Sequence, residues 1–372
     1  MSIKVEKGTD NSPAPLVVVI DGFTGGGAQR LIETLIPEWL KGGEIVHLIL
    51  LQDLSGEIPL GSLLKQGLNL HRISASKIVD PKGLFRFYRL LRRINPGQIQ
   101  AHLFWAQVWT SFLKLFLLGP NLIWVEHNTY IHRSKSDWLY YKFFARFCSQ
   151  VIAVSYEVSE FLESRTGITS RVVVNPVSQI FVGRQFVKDS PGVIFVGRLN
   201  EQKNPFLAIQ GFEMALKKNM IPEGASLSIA GNGPQLDFLK DYCSKSSFYS
   251  NFHFLGFVSE SELANEMGKS RTLISTSLYE GCPLVRPQAL ALGCSIVTTK
   301  TGGIRGVLTE NENSSQLVKG VFFCELDVQS VAETIALSFN PEFWTEESIN
   351  ARVTVGIRYL PFDASREYLD GS

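Results

Sequence analysis

The residues best placed by type and spacing to do chemistry begin with two cations, Arg198 and Lys203, in the run Val196-Gly197-Arg198-Leu199 followed by Gln202-Lys203-Asn204-Pro205. Arg presents a planar fork of donors and Lys a compact point charge, so the two within one loop can clamp a diphosphate. Either alone would carry little weight, because most Lys and Arg are solvated surface residues. Further on, the run from Tyr279 through Glu280, Gly281, Cys282, Pro283 and Leu284 to Leu290 reads as a loop entering a helix. Pro287 lacks an N–H and fits only the first helical turn, so the helix is expected to start near Pro283 or Leu284. The amides of Gly281 to Leu284 would then face an anion, with Glu280 at the mouth of that nest. Near the N-terminus, Gly25-Gly26-Gly27 leads from an apolar run into a helical pattern, a second loop able to admit an anion or a close ligand. Arg30 stands where a dinucleotide fingerprint wants its third glycine, which disfavours a nicotinamide cofactor.

The elements that must position these loops follow a regular rhythm. Short β-branched runs at Leu16–Ile20, Ile45–Leu51, Ile99–Leu103, Leu122–Val125, Val151–Val154 and Arg171–Val174 alternate with helix-length segments. The rhythm restarts at Gly192–Val196, Ser226–Ala230, Asn251–Leu255, Thr272–Ser275, Ser295–Thr299 and Val321–Cys324. Such alternation predicts parallel α/β sheets, and 372 residues exceed what one core usually organises, so two α/β domains are expected. The boundary falls between Asn175-Pro176-Val177 and Ser190-Pro191-Gly192, giving domains over 1–180 and 181–350 and a final segment over 351–372 expected to pack back toward the first domain. In this arrangement every candidate loop follows the carboxyl end of a strand, where open α/β sheets bind ligands.

The order Gly-Gly-Ala-x-Arg, Val-Gly-Arg-Leu with Gln-Lys-Asn, Ala-Gly-x-Gly-Pro at Ala230–Pro234, and Glu-Gly-x-Pro at Glu280–Pro283 resembles that of family 4 retaining glycosyltransferases, over nearly the whole chain. The resemblance implies the GT-B fold: two facing Rossmann-like domains with a central cleft. It implies a nucleotide-diphosphate sugar as donor, with UDP the expected nucleotide, and a glycan or lipid-linked acceptor of surface polysaccharide synthesis. By the same resemblance Arg198, Lys203 and the Gly281–Leu284 amides neutralise the diphosphate, and Glu280 contacts the transferred sugar. His127 faces that sugar across the cleft, Gly25 to Gly27 close over the phosphates, and Gly256 lies near the base. One departure stands out: Gln288 occupies the place of the family's second glutamate, which accepts from the ribose hydroxyls. Two other readings stay open, a nucleotide-sugar epimerase of the same fold and a binder impaired in catalysis.

No Asp-x-Asp triplet occurs, so the usual carboxylate bridge from a metal to a diphosphate is missing, and a reaction without metal or other cofactor is expected. Five cysteines lie scattered with no Cys-x-x-Cys pair, which disfavours a zinc site or disulfide framework and fits a cytoplasmic setting. The net charge of +1 divides into 19 Lys/Arg against 14 Asp/Glu over residues 1–175 and 17 against 21 thereafter. A basic first half points to an anionic partner, and nothing points to nucleic acid. Lys82, Arg86, Arg89 and Arg93 fall on one helical face of 81–94, opposite Leu84, Phe87, Leu91 and Ile94. That stripe is expected either to meet an anionic membrane surface or lipid-diphosphate acceptor, placing the protein on the inner face of the cytoplasmic membrane, or to be simply solvated.

Overall fold

The structure, a computed structural model, describes residues 14–23, 26–53, 60–117, 119–129, 135–183 and 191–370. The first half runs β1 (Leu16–Ile20), α1 (Gly27–Lys41), β2 (Val46–Leu50), α2 (Gly61–Lys65), β3 (Asn69–Arg72), α3 (Pro81–Ile94), β4 (Gln98–His102), α4 (Phe104–Lys114), β5 (Asn121–Glu126), α5 (Lys135–Ala145), β6 (Gln150–Ala153), α6 (Tyr156–Thr166) and β7 (Arg171–Val172). Its seven strands form one parallel sheet in the order β3-β2-β1-β4-β5-β6-β7. The apolar runs became strands because both sheet faces are covered: Val17 and Val19 enter one helical layer, Val18 and Ile20 the other. β3 had no such run. Its Asn-Leu-His-Arg sequence is partly exposed at the sheet edge, so no continuous apolar signal marks it.

The second half runs β8 (Gly192–Val196), α7 (Pro205–Lys217), β9 (Ser226–Ala230), α8 (Leu236–Ser244), β10 (Phe252–Gly256), α9 (Glu260–Gly268), β11 (Ser270–Ser275), α10 (Val285–Ala291), β12 (Ser295–Thr298), β13 (Val321–Phe323) and α11 (Val328–Ser338), then α12 (Glu346–Gly356) and α13 (Pro361–Leu369). Its strands form a second parallel sheet, ordered β10-β9-β8-β11-β12-β13. Both sheets reverse strand order beside their first strand, which opens a crevice at that strand's carboxyl end.

The chain's last helix returns to the first sheet. Trp39 Nε1 donates to the Ser365 carbonyl at 2.9 Å, and Gln98 and Gln100 donate to the Tyr368 carbonyl at 2.8 and 2.9 Å. The return starts later than residue 351. α12 still packs on α10, closely enough that a Cβ on Gly356 would meet the Ala291 nitrogen at 2.1 Å, and buried Arg352 donates to the Gly293 carbonyl. The crossing is marked by Val177 N donating to the Tyr359 carbonyl at 2.9 Å.

Candidate active site

The loops after β8 and β9 meet through glycines that leave no room for a side chain. A Cβ on Gly231 would lie 1.9 Å from the Gly197 carbonyl oxygen, and one on Gly233 2.3 Å from that of Leu199. Gly256, with φ +67, accepts from the Gly231 amide at 2.7 Å, so it belongs to the same rim. This contact fixes the peptide before Arg198, whose side chain is exposed and makes no ion pair among the described residues. Lys203 sits at the entry to α7, its amide donating to Asn200 Oδ1. Its Nζ is paired with Glu280 Oε1, and Ser277 Oγ donates to the same oxygen at 2.7 Å. The two cations therefore differ: Arg198 lies exposed at the rim with no ion pair among the described residues, while Lys203 ties the Glu280 carboxylate into the floor.

Gly281, Cys282, Pro283 and Leu284 are all buried and lead into α10, whose helical residues start at Val285, one to two positions later than expected. Among the described residues none accepts from the amides of Gly281, Cys282 or Leu284. Buried amides without a partner are costly and rare, so three together describe a place for an acceptor. Burial pushes the Cys282 thiol up to about 12, so it stays protonated and contributes only its backbone. Gln288 lies one turn further, buried within α10.

Arg286, fully buried in the same helix, is a residue that sequence reasoning gave no role. Its guanidinium donates to the Gly302 carbonyl at 2.8 Å and to Thr298 Oγ1 at 2.9 Å, while the Gly302 amide donates to the Glu280 carbonyl. Arg286 thus fastens the loop after β12 beneath the Glu280 turn. Its signal was a cation inside an apolar helical pattern.

The first domain supplies the opposite wall. A Cβ on Gly281 would meet the His127 carbonyl oxygen at 2.0 Å, so the two backbones touch across the cleft. Ser155 Oγ donates to the Gly281 carbonyl at 2.9 Å and Asn175 Nδ2 to that of Cys282 at 3.0 Å. Glu157 accepts from the amides of Gly303, Ile304 and Arg305 at 3.0, 3.1 and 2.9 Å. These contacts, none visible in the linear sequence, hold the cradle from the other domain. Nearer the opposite end Arg30 of α1 lies over the Phe257 ring, 5.7 Å from its centre, beside Gly26 and Gly27. Gly25 lies outside the described residues.

His127, just past β5, is 2.9 Å from His102 at the end of β4, Nε2 to Nδ1. Strand register explains the pair, since β4 and β5 are hydrogen-bonded neighbours and both histidines stand at their carboxyl ends. Burial pushes His127 down to about 3 and His102 well below the usual histidine range, so both are neutral near pH 7. The Nε2 of His102 is buried without a partner. An orphaned acceptor is more tolerable than an orphaned donor, which favours a proton on His102 Nδ1, given to His127 Nε2, and leaves His127 with its proton on Nδ1. Sequence reading missed His102.

Asp21 at the end of β1 was also missed. It accepts from the Ala106 amide at 2.9 Å at the start of α4, and burial pushes it up to about 6. Between this cap and His102, Leu103 adopts φ 71 and ψ 170, a region otherwise kept to glycine, so the turn carrying His102 is held under strain. Lys82, Arg86, Arg89 and Arg93 of α3 all lie exposed on its outer face, as does Arg92, and Phe87 and Leu91 are buried on the inner one.

Two facing parallel α/β sheets, with a cation and amide cradle on one wall and a histidine on the other, define a GT-B transferase. The chain matches the Glycosyltransferase Family 4 model over residues 25–178 and the Glycosyl transferases group 1 model over residues 178–347, and it belongs to this family. An uncharacterised glycosyltransferase of Methanocaldococcus jannaschii is 25% identical over 253 residues, which are 59% of this chain and 60% of that protein. The poly(glycerol-phosphate) alpha-glucosyltransferase of Bacillus subtilis is 31% identical over 121 residues, 32% of this chain and 17% of the relative. The matches thus span less than two thirds of these relatives' lengths. Among solved structures, Anabaena HepE in complex with UDP and glucose superposes with a TM-score of 0.78 at 16% identity, covering 96% of this chain and 98% of its own. S. aureus TarM, in a complex that includes UDP, gives 0.76 at 13% identity, covering 96% and 99%.

Proposed function

We propose that the protein transfers a hexosyl or N-acetylhexosaminyl group from a nucleotide-diphosphate sugar to a hydroxyl of a glycan or lipid-linked acceptor, with retention of anomeric configuration and without a metal. The observation that carries this reading is the set of buried, unaccepted amides at Gly281, Cys282 and Leu284, flanked by Lys203 and Arg198. A diphosphate would accept from these amides, with Arg198 turned onto it from the rim. As the bond from the anomeric carbon to the diphosphate breaks, charge grows on the leaving oxygen, and fixed donors stabilise it without reorganising. Lys203 keeps Glu280 in place and shares its own charge with the same oxygens. His127, neutral and protonated on Nδ1, offers a hydrogen bond to a sugar hydroxyl from the facing wall.

UDP is the proposed nucleotide, supported by its presence in the HepE and TarM complexes, although another structure of this fold, a starch synthase, is bound to ADP. Calorimetry with UDP, GDP and ADP, each with and without a chelator, tests the proposal. UDP should bind most tightly and EDTA should change nothing; no binding of any nucleotide, or binding only with Mg²⁺ or Mn²⁺, would overturn it. The anomeric configuration follows from NMR of the product. A second reading, a nucleotide-sugar binder without transferase activity, is favoured by Gln288 alone and predicts donor binding with neither transfer nor hydrolysis.

A further inference from the structure

We propose that the outer face formed by α3, α5 and the end of α4 is a docking surface for an anionic lipid bilayer. The proposal concerns a surface remote from the nucleotide cradle and holds whichever nucleotide is used.

The three helices cover one face of the first sheet. Phe87 and Leu91 of α3, Trp109 and Leu113 of α4 and Tyr141 of α5 share a single buried cluster. α3 is joined to α4 by the Phe87 and Trp109 rings, 6.1 Å apart, and α4 packs on α5. With their inward faces so used, their outward faces are fixed. α3 turns out Lys82, Phe85, Arg86, Arg89, Arg92 and Arg93, with Phe85 60% exposed. α5 and the turn that follows it present Leu139, Lys142, Phe143 and Arg146, with Leu139 71% exposed. Between them the end of α4 exposes Phe112, Leu115 and Phe116.

Neither feature alone would point to a partner. Single exposed apolar residues are ordinary, and a basic stripe can be simply solvated. Here they adjoin on neighbouring helices: α3 sets Phe85 among five cations, α5 alternates Leu139 and Phe143 with Lys142 and the following Arg146, and residues 81–148 hold ten Lys/Arg against two Asp/Glu in a chain of net charge +1. Charge brings such a face to anionic headgroups, and the apolar tips then enter the boundary with the acyl chains. A soluble polyanion would answer the cations and leave the apolar tips in water, so the bilayer accounts for both.

Vesicle flotation of the full chain tests this, using phosphatidylcholine vesicles with and without phosphatidylglycerol. The protein should float with the anionic vesicles, remain behind with the neutral ones, and be released in part by salt. The triple variant Phe116→Ser, Leu139→Ser, Phe143→Ser should lower the partition coefficient by about tenfold or more, from lost apolar transfer, with melting temperature and UDP affinity unchanged. Should the triple variant melt early, Leu139→Ser alone, at the most exposed of the three positions, should lower it by about threefold. Absence of flotation would overturn the proposal. So would apolar variants that partition like the unaltered protein, or release by soluble polyphosphate to the same extent for all forms, since each would identify a charge-only polyanion site.

Discussion

Replacing Gly281 by Ala tests whether the two walls work at the separation seen here. The added methyl would lie 2.0 Å from the His127 carbonyl oxygen and 2.9 Å from the Asn128 Cα, both main-chain atoms that no rotamer change can remove. Ordinary van der Waals contact for such a pair begins near 3.4 Å, so the Glu280 turn and the His127 turn must part by about 1.4 Å. A misplacement of that size in a site that works by positioning costs about 10²-fold in rate. The Ser155 bond to the Gly281 carbonyl, 2.9 Å in the structure, would break or lengthen at about 1 kcal/mol of stability. The Gly281 amide survives the change, so nucleotide affinity should fall by only a few-fold. Single-turnover transfer assays beside calorimetry with UDP separate the two effects, and Gly224→Ala, where no atom lies within 4 Å of the added methyl, supplies the control. Transfer at near-normal rate in a folded Gly281→Ala protein would refute the reasoning, because the facing walls would then not need their contact.

Gln288→Glu should tighten binding of the nucleotide about tenfold, since a carboxylate acceptor on a ribose hydroxyl exceeds a neutral amide by roughly 1–2 kcal/mol; weaker binding by calorimetry would place the ribose elsewhere. Lys203→Met leaves the buried Glu280 carboxylate with Ser277 as its remaining hydrogen-bond partner among the described residues, and should cost roughly 1–3 kcal/mol of stability and 10²-fold or more in kcat. Adding Glu280→Gln should recover part of that stability loss but none of the rate, and strictly additive melting shifts would argue against a coupled pair. His102 and His127 have folded pKa values below the unfolded 6.5, so their contribution to stability is present above pH 6.5 and is lost as pH falls toward 3. Asp21, raised from 3.8 to about 6, works oppositely: its contribution is present below pH 3.8 and is lost as pH rises through 6. Thermal melts across this range should therefore fall more steeply on the acid side than those of a His102→Gln variant, and kcat/KM should show no histidine inflection near 6.5; such an inflection would mean a charged His127.

The linear sequence determined the two parallel sheets, because buried strands must be short apolar runs and the helices between them carry their own punctuation: Asp80 and Pro81 open α3 and left-handed Asn95 closes it. It also determined the donor-side candidates, since Arg198, Lys203, Glu280 and the Gly281 turn sit in local runs whose residue types are chemically explicit. The edge strand β3 escaped notice because a partly exposed strand carries no continuous apolar signal. What only the tertiary structure decided are the contacts between residues far apart in the chain. His102 became a partner of His127 through strand register, Lys203 of Glu280 through the meeting of two loops, and Glu157 of the Gly303–Arg305 amides across the cleft. The exposed tips of α4 and α5 likewise showed themselves only after the inward faces were known, because 3.6-residue periodicity marks a helix's faces without saying which neighbour covers them.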